Sequence, residues 1–96
     1  MKKKVEKKVK RYIVRSDRAG VFFGEIVSRK GSETVMKNAR RIWCWAGAAS
    51  LSQLSQDGTS QPGSCKFPCA VPSQTVLGTI EIIECSAKAC DSIDGV

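Results

Sequence analysis

The sequence of 96 residues contains no histidine. Without histidine the chain cannot form a Ser–His or Cys–His nucleophile pair, a histidine general base or most kinds of catalytic zinc site. Long apolar runs are also missing, since none approaches the roughly 18 to 20 residues that cross a bilayer. The lysines after Met1 are not followed by the apolar segment of a secretory signal. We therefore expect a cytoplasmic protein with no membrane partner, whose five cysteines are thiols.

Charge is unevenly distributed along a chain whose length suits one domain. Residues 1–41 contain 14 Lys and Arg against four acids, whereas residues 42–96 contain two against five, which gives the net charge of +7. Residues 1–11 alone hold seven basic residues and one acid. Such a run repels itself and buries little, so we predict a flexible basic arm over residues 1–11 and a single domain over residues 12–96. The arm either attracts polyanions such as nucleic acid or only favours solubility.

Strand-forming patterns recur along most of the domain. Segments rich in β-branched and aromatic residues, or bounded by turn residues, lie at 12–14, 21–27, 34–36, 40–45, 66–71 and 75–84. Asn38-Ala39 predicts a bulge or turn, and Pro68 and Pro72 favour a sheet edge for 66–71. The connections are too short for parallel crossovers, so we predict an antiparallel β-meander of about five strands.

Two short helices complete the predicted α+β fold. Ser50-Leu51-Ser52-Gln53 has the form of a capping box and predicts a helix of about two turns. Asp57-Gly58 is typical of its C-terminal end. Ser86 is expected to cap a second helical turn further along the chain.

The segment 38–56 contains the candidate ligand-binding residues. If Ile42 and Cys44 face the core of a strand, then Arg41, Trp43 and Trp45 share the opposite face. Bases stack on indole rings, and arginine makes bidentate contacts with phosphate. Small residues before the predicted helix expose backbone amides that suit an anion. The predicted site consists of Arg40, Arg41, Trp43, Trp45, Gly47, Ala48, Ser50 and Ser52.

A purely structural explanation of the tryptophans stands beside this prediction. In a chain of this size a tryptophan is more often part of the core or of a subunit interface than a platform for a base. A capped helix that follows small residues is also common in proteins that bind nothing there. The sequence alone leaves both explanations open.

The cysteine spacing favours neither a metal site nor catalysis. Cys65-x3-Cys69 and Cys85-x4-Cys90 lack the C-x2-C pairs of a zinc ribbon, and we interpret these residues as small apolar side chains. No P-loop, nucleophile elbow or convincing carboxylate pair is present. We therefore predict a protein that is not an enzyme and has no metal or other cofactor.

The central segment resembles a family of small phage and prophage proteins of unknown function. The resemblance is strongest over residues 39–54, which read ARRIW-x-W-x-GAASLSQL, and over 65–68. It extends to 19–24 and 80–83, and so covers most of residues 12–95. Cys44 stands where an aromatic residue often occurs in that family.

The resemblance implies a role against host defence. Small basic phage proteins without catalytic residues often counter host defence, and one known strategy is to sequester nucleotide immune signals, such as cyclic ADP-ribose derivatives or cyclic oligonucleotides. The leading hypothesis is an anti-defence sponge: a homo-oligomer, since so small a chain buries limited surface alone, that holds a phosphorylated nucleotide without cleaving it. The alternatives are a nucleic-acid-binding accessory protein that uses the basic arm, and a protein–protein inhibitor of a host enzyme anchored by Trp43 and Trp45.

Overall fold

A computed structural model describes residues 10–96 and contains five strands and two helices. Residues 1–9 of the predicted basic arm lie outside the described residues. The elements are β1 (Tyr12–Ser16), β2 (Gly20–Lys30), β3 (Glu33–Arg41), α1 (Leu51–Asp57), β4 (Val71–Val76), β5 (Thr79–Glu84) and α2 (Ala87–Asp94), with a 3-10 turn at Pro62–Ser64. All strands join one antiparallel sheet, which confirms the predicted α+β class.

The last two residues of the predicted arm are attached to the domain. Arg11 donates from Nη1 and Nη2 to the two carboxylate oxygens of Asp94, at 2.8 and 2.7 Å. Lys10 Nζ lies 2.9 Å from a carboxylate oxygen of Glu84. The folded domain therefore includes Lys10 and Arg11, because each has an acidic partner in the C-terminal part of the chain.

The sheet is strongly curled. Its order is β4-β3-β2-β1-β5, so β4 and β5 lie at opposite edges although only Leu77 and Gly78 separate them. The turn before β2 contacts this connection through Asp17 N, which donates to Gly78 O at 2.8 Å. The turn after β2 contacts it through Ser32 O, which accepts from Thr79 N at 2.9 Å. Both ends of β2 therefore meet the same short connection, which only a coiled sheet permits.

Bulges in the pairing of β2 with β3 contribute to the curl of the sheet. The pairing register shifts between Phe23 and Glu25, opposite Asn38, which has a left-handed φ of 53°. A Cβ on Gly24 would lie 2.9 Å from Asn38 O and 3.0 Å from Ala39 Cα, so only glycine fits. The predicted bulge at Asn38-Ala39 thus lies within one continuous strand rather than between two.

The C-terminal strands differ from the predicted ones in their bounds. The two strands are separated at Leu77-Gly78, where Gly78 has φ +72°, and not between residues 71 and 75. The stretch before Val71 is irregular apart from one bridge between Lys66 and Cys44. Pro72 lies in β4, an edge strand, where a missing N–H donor is tolerated.

Apolar side chains are buried on both faces of the sheet. The inner face of the curl holds Val14, Phe22, Met36, Ala39 and Val76. On the outer face the two helices pack over a second cluster, formed by Ile13, Phe23, Ile42, Leu54, Phe67, Cys85, Ala89, Cys90 and Ile93. This two-sided burial explains why β1 and β2 contain adjacent apolar residues instead of a strict alternation.

Both predicted helix caps are present. Ser50 Oγ accepts from Gln53 N at 3.2 Å, and Gln53 Oε1 accepts from Ala49 N at 2.8 Å, which completes the capping box one residue before the N-cap. Ser86 Oγ accepts from Ala89 N at 3.0 Å. Within residues 10–96 no helix is long and apolar enough to cross a membrane.

Candidate functional site

The chain leaves the sheet after Arg41. Ile42 N still donates to Val21 O at 2.8 Å, but Trp43 N and Cys44 N both turn to Lys66 O, at 3.1 and 3.3 Å. Because the strand has ended, its alternation no longer applies. Ile42 is buried as predicted, whereas Cys44 is exposed, so the expectation that Cys44 faces the core is wrong.

Trp43 is an exposed indole held beside a lysine. Its side chain is 69% exposed, and Lys66 Nζ lies 5.5 Å from the ring centroid. The backbone bridge between Cys44 and Lys66 brings the two side chains together. A cation–π contact at such an exposed site contributes only about 0.5–1 kcal/mol, so the ring remains accessible to a competing planar group.

Trp45 has a different environment. It is half-buried and packs against the outer core cluster. Of the two tryptophans, Trp43 is therefore the one that presents a ring to solvent, and Trp45 serves the packing that the sequence left as the alternative.

Arg41 lies at the end of the inner core. Its guanidinium carbon is 4.6 Å from the centroid of the Phe22 ring, and its Nη1 donates to Ala19 O at 2.5 Å. An arginine has five N–H donors. Contacts with residues 10–96 engage one of them, so the exposed guanidinium keeps donors for an anion.

Arg40 points to the other side and joins distant parts of the chain. Its Nε donates to Pro68 O at 3.0 Å, its Nη1 to Ile93 O at 3.0 Å, and its Nη2 to Val96 O at 3.2 Å and to Phe67 O. The guanidinium also lies over the Phe67 ring. Four of its five donors are thus occupied by main-chain oxygens. The predicted phosphate contact of Arg40 has no support in this arrangement, which is that of a structural clamp.

The predicted amide site before α1 is packed against a neighbouring loop. A Cβ on Gly47 would lie 2.6 Å from Gln61 N and 2.7 Å from Ser60 N, and Gly47 itself has φ +81°. Gly47 O accepts from Ser60 N at 3.4 Å. The loop of residues 59–61 therefore packs directly against Gly47, which serves this close approach.

The remaining predicted residues belong to the start of the helix. The hydroxyl of Ser50 caps α1, and Ser52 is exposed with its carbonyl accepting from Ser55 Oγ at 2.6 Å. Ala48 packs against the outer core cluster. The structure thus leaves Arg41 and Trp43 exposed two positions apart in the chain and places Gly47, Ala48, Ser50 and Ser52 in the local framework.

Burial keeps two of the five thiols protonated. Burial, with a smaller contribution from nearby Cys90, raises the pKa of Cys85 to about 12. The pKa of Cys90 is also raised, first by burial. Neither group offers a thiolate near neutral pH. All five cysteines are free.

A cavity adjoins the Arg41 end of the sheet. It has a volume of about 440 Å³ and is lined by Asp17, Arg18, Ala19, Leu77 and Gly78. Ala19 both lines the cavity and accepts the hydrogen bond from Arg41. We name the surface formed by these five residues with Arg41, Trp43 and Lys66 the turn-end surface.

Sequence reasoning missed the contributions of Lys66 and of the cavity to this surface. Lys66 is 23 positions from Trp43, and Leu77 is far from Ala19 in the chain. Lys66 carried no local motif, and near the cavity the sequence indicated only a turn at Asp17-Arg18-Ala19-Gly20.

A comparison with family models identifies one match, which spans residues 9–93 and so nearly the whole described domain. Comparison with the curated proteins and with the solved structures found no significant match. The chain therefore belongs to the family described as a domain of unknown function (DUF6948).

Proposed function

We propose that this chain is a non-enzymatic binding protein for phosphorylated nucleotides, which stacks a base on Trp43. The observation that supports this proposal is the 69% exposed indole with an ammonium group 5.5 Å from its centroid. An exposed ring of this kind offers a π-face to any base, and stacking contributes about 1–3 kcal/mol per base.

Two cations supply the phosphate contacts. Lys66 Nζ already lies at the Trp43 ring, and Arg41 is two residues before that tryptophan. When a base displaces the ammonium group from the ring, Lys66 is free to pair with the attached phosphate. Arg41 adds donors in a fork that matches phosphate oxygens.

No group on the turn-end surface is suited to cleave a bound nucleotide. The chain has no histidine, and the carboxylate of Asp17 is the single acid among the residues that form the surface. We expect a bound nucleotide to be retained and released unchanged.

The resemblance to phage and prophage proteins supports a specific biological role. A protein that holds a nucleotide without altering it lowers the free concentration of that nucleotide in proportion to the number of sites. We propose that the chain acts as an anti-defence sponge in the host cytoplasm, and as a homo-oligomer. Its ligand would be a nucleotide immune signal of the cyclic ADP-ribose or cyclic oligonucleotide type.

Single-stranded nucleic acid is the second candidate ligand. The observation that favours it is that Trp43 and Arg41 lie on an open surface, over which a polymer can pass. The excess of basic residues in positions 1–41 would add long-range attraction to a polyanion. Polymer binding is expected to weaken steeply with salt and to tighten with oligonucleotide length.

Native mass spectrometry with a panel of ligands tests the proposal. The full chain is incubated with cyclic nucleotides, ADP-ribose isomers and oligodeoxythymidylates of increasing length. Retention of one small compound at a fixed stoichiometry supports the sponge, and length-dependent retention of oligonucleotides supports the polymer. Retention of no nucleotide or oligonucleotide from the panel would contradict both.

Variants at the ring and at the cation locate the site. Trp43→Ala is expected to weaken binding by about 5- to 150-fold, the equivalent of one base stack. Lys66→Gln is compared with Lys37→Gln, which removes the same charge from an exposed position on β3. Equal effects of the two lysine changes, or wild-type affinity in Trp43→Ala, would place the site elsewhere.

A further inference from the structure

We propose that the cavity at residues 17–19 and 77–78 is a second base subsite, so that the ligand contains at least two nucleotide units joined through phosphate. This inference rests on the proposed function, because it takes Trp43 as the first base platform. The inference narrows the expected ligands to dinucleotides and longer or cyclic compounds, which should bind more tightly than mononucleotides.

The order of groups along the surface supports two units. Arg41 and Trp43 are two residues apart, which limits their Cα separation to about 7 Å. Arg41 Nη1 donates to Ala19 O, and Ala19 lines the cavity. Arg41 is therefore next to the cavity through Ala19 and within two residues of Trp43, so a phosphate bound by Arg41 would be shared by a base on Trp43 and a base in the cavity.

The cavity has the size and composition of a site for a base. Its volume of about 440 Å³ falls within the roughly 300–1,000 Å³ of small-molecule pockets. Leu77 is 63% exposed and, with Ala19, offers apolar contact to a planar group. Such an exposed leucine next to a concave surface gains burial when a ligand covers it.

A buried serine holds the cavity in shape before any ligand arrives. Ser16 Oγ donates to Leu77 O at 2.6 Å and accepts from Ala19 N at 3.0 Å and Arg18 N at 3.3 Å. Asp17 N donates to Gly78 O at 2.8 Å. Each of the five lining residues thus takes part in a hydrogen bond, either to Ser16 or between the two turns, so little ordering cost remains for binding.

The charged residues of the cavity define which base it accepts. The Asp17 carboxylate accepts hydrogen bonds only, so it favours bases with an amino group over uracil and thymine. Arg18 provides a second guanidinium for the linking or terminal phosphate. We therefore expect the second unit to carry adenine, guanine or cytosine.

Calorimetry with AMP, pApA and pUpU tests the inference on the full chain. The dinucleotide pApA is expected to bind at least about 10-fold more tightly than AMP, and more tightly than pUpU. Leu77→Ser is expected to reduce pApA affinity toward that of AMP, a far larger effect than its effect on AMP itself. Ile80→Ser is the control, since Ile80 is 55% exposed on β5 and does not line the cavity.

The outcomes separate this inference from the proposed function. Equal affinities for AMP and pApA, both lowered by Trp43→Ala, would overturn the second subsite and leave the nucleotide proposal intact. An equal effect of Leu77→Ser on both ligands would also overturn it. If neither ligand binds and Trp43→Ala changes nothing for any member of the nucleotide panel, the proposed function itself fails. Asp17→Asn provides a further readout, because it should erase the preference for pApA over pUpU.

Discussion

Arg40 and Arg41 are neighbours with the same side chain, and the structure assigns them opposite roles. Arg40 donates to four main-chain oxygens, two in the segment after Lys66, one at the C-terminal end of α2 and one at Val96 after that helix. Arg41 donates to one main-chain oxygen and is exposed. Replacing each residue by alanine therefore separates stability from ligand binding within a single dipeptide.

The decrease in folding stability expected for Arg40→Ala follows from the contacts of the guanidinium. Hydrogen bonds from a charged group contribute about 1.5–3 kcal/mol each in isolation, but bonds from one guanidinium are not additive, and we expect about 2–4 kcal/mol in total. In a domain of this size 1 kcal/mol corresponds to roughly 4–8 °C in Tm, so the variant should melt about 8–32 °C lower. Arg41→Ala should lose about 1 kcal/mol or less, from one hydrogen bond and one exposed cation–π contact.

Thermal unfolding followed by far-UV circular dichroism measures the stability of each variant, and nucleotide binding is measured in parallel. Arg41→Ala is expected to lose nucleotide affinity with little change in Tm, and Arg40→Ala to bind normally below its lowered Tm. Arg40→Lys is the matched control for charge, and it should be nearly as unstable as the alanine variant because lysine lacks the planar fork. If the Tm values of Arg40→Ala and Arg41→Ala agree within about 2 °C, the clamp contributes no more than a surface contact and the reasoning is refuted.

Two further predictions concern the fold. Gly24→Ala should lower the free energy of unfolding by about 1–3 kcal/mol in urea titrations, because its methyl group would collide with the Asn38 backbone. Gly63→Ala is the control and should have a much smaller effect, because a Cβ there meets open space. Similar losses in both variants would exclude the close approach at Gly24 as the cause. The raised pKa of Cys85 means that the folded state keeps its proton when the unfolded state, with a thiol pKa near 9.0, has lost it. The stability contributed by this group is present below pH 9 and is lost as the pH rises toward about 12, so the free energy of unfolding should fall over that range. Cys85→Ala should flatten the dependence of the free energy of unfolding on pH. An unchanged pH dependence in the variant would exclude this thiol as its source.

Local features of the fold could be predicted from the sequence, and non-local ones could not. The capping serines Ser50 and Ser86 act on amides three residues away, so their pattern is visible in the chain itself. The bulge near Asn38 was likewise indicated by a residue type that tolerates positive φ. The α+β class followed from such local signals together with the short connections between strands.

The candidate site shows where this reasoning fails. The face of Cys44 was predicted from an alternation that stops at Arg41, and the end of a strand depends on its partners rather than on its own residues. The role of Arg40 depends on oxygens at positions 67, 68, 93 and 96, which come near only after folding. Trp43 was included in the predicted set together with Trp45, and only packing distinguishes the two.

The short link between β4 and β5 also has a consequence for biosynthesis. β3 obtains its second neighbour from β4, and β1 obtains its second neighbour from β5, so both wait for residues 71–84. Contacts between positions so far apart in sequence form slowly. A nascent chain emerging from the ribosome therefore exposes the open edges of its first three strands until the final third of the polypeptide is released, an interval in which a chaperone or a second nascent copy has its best access.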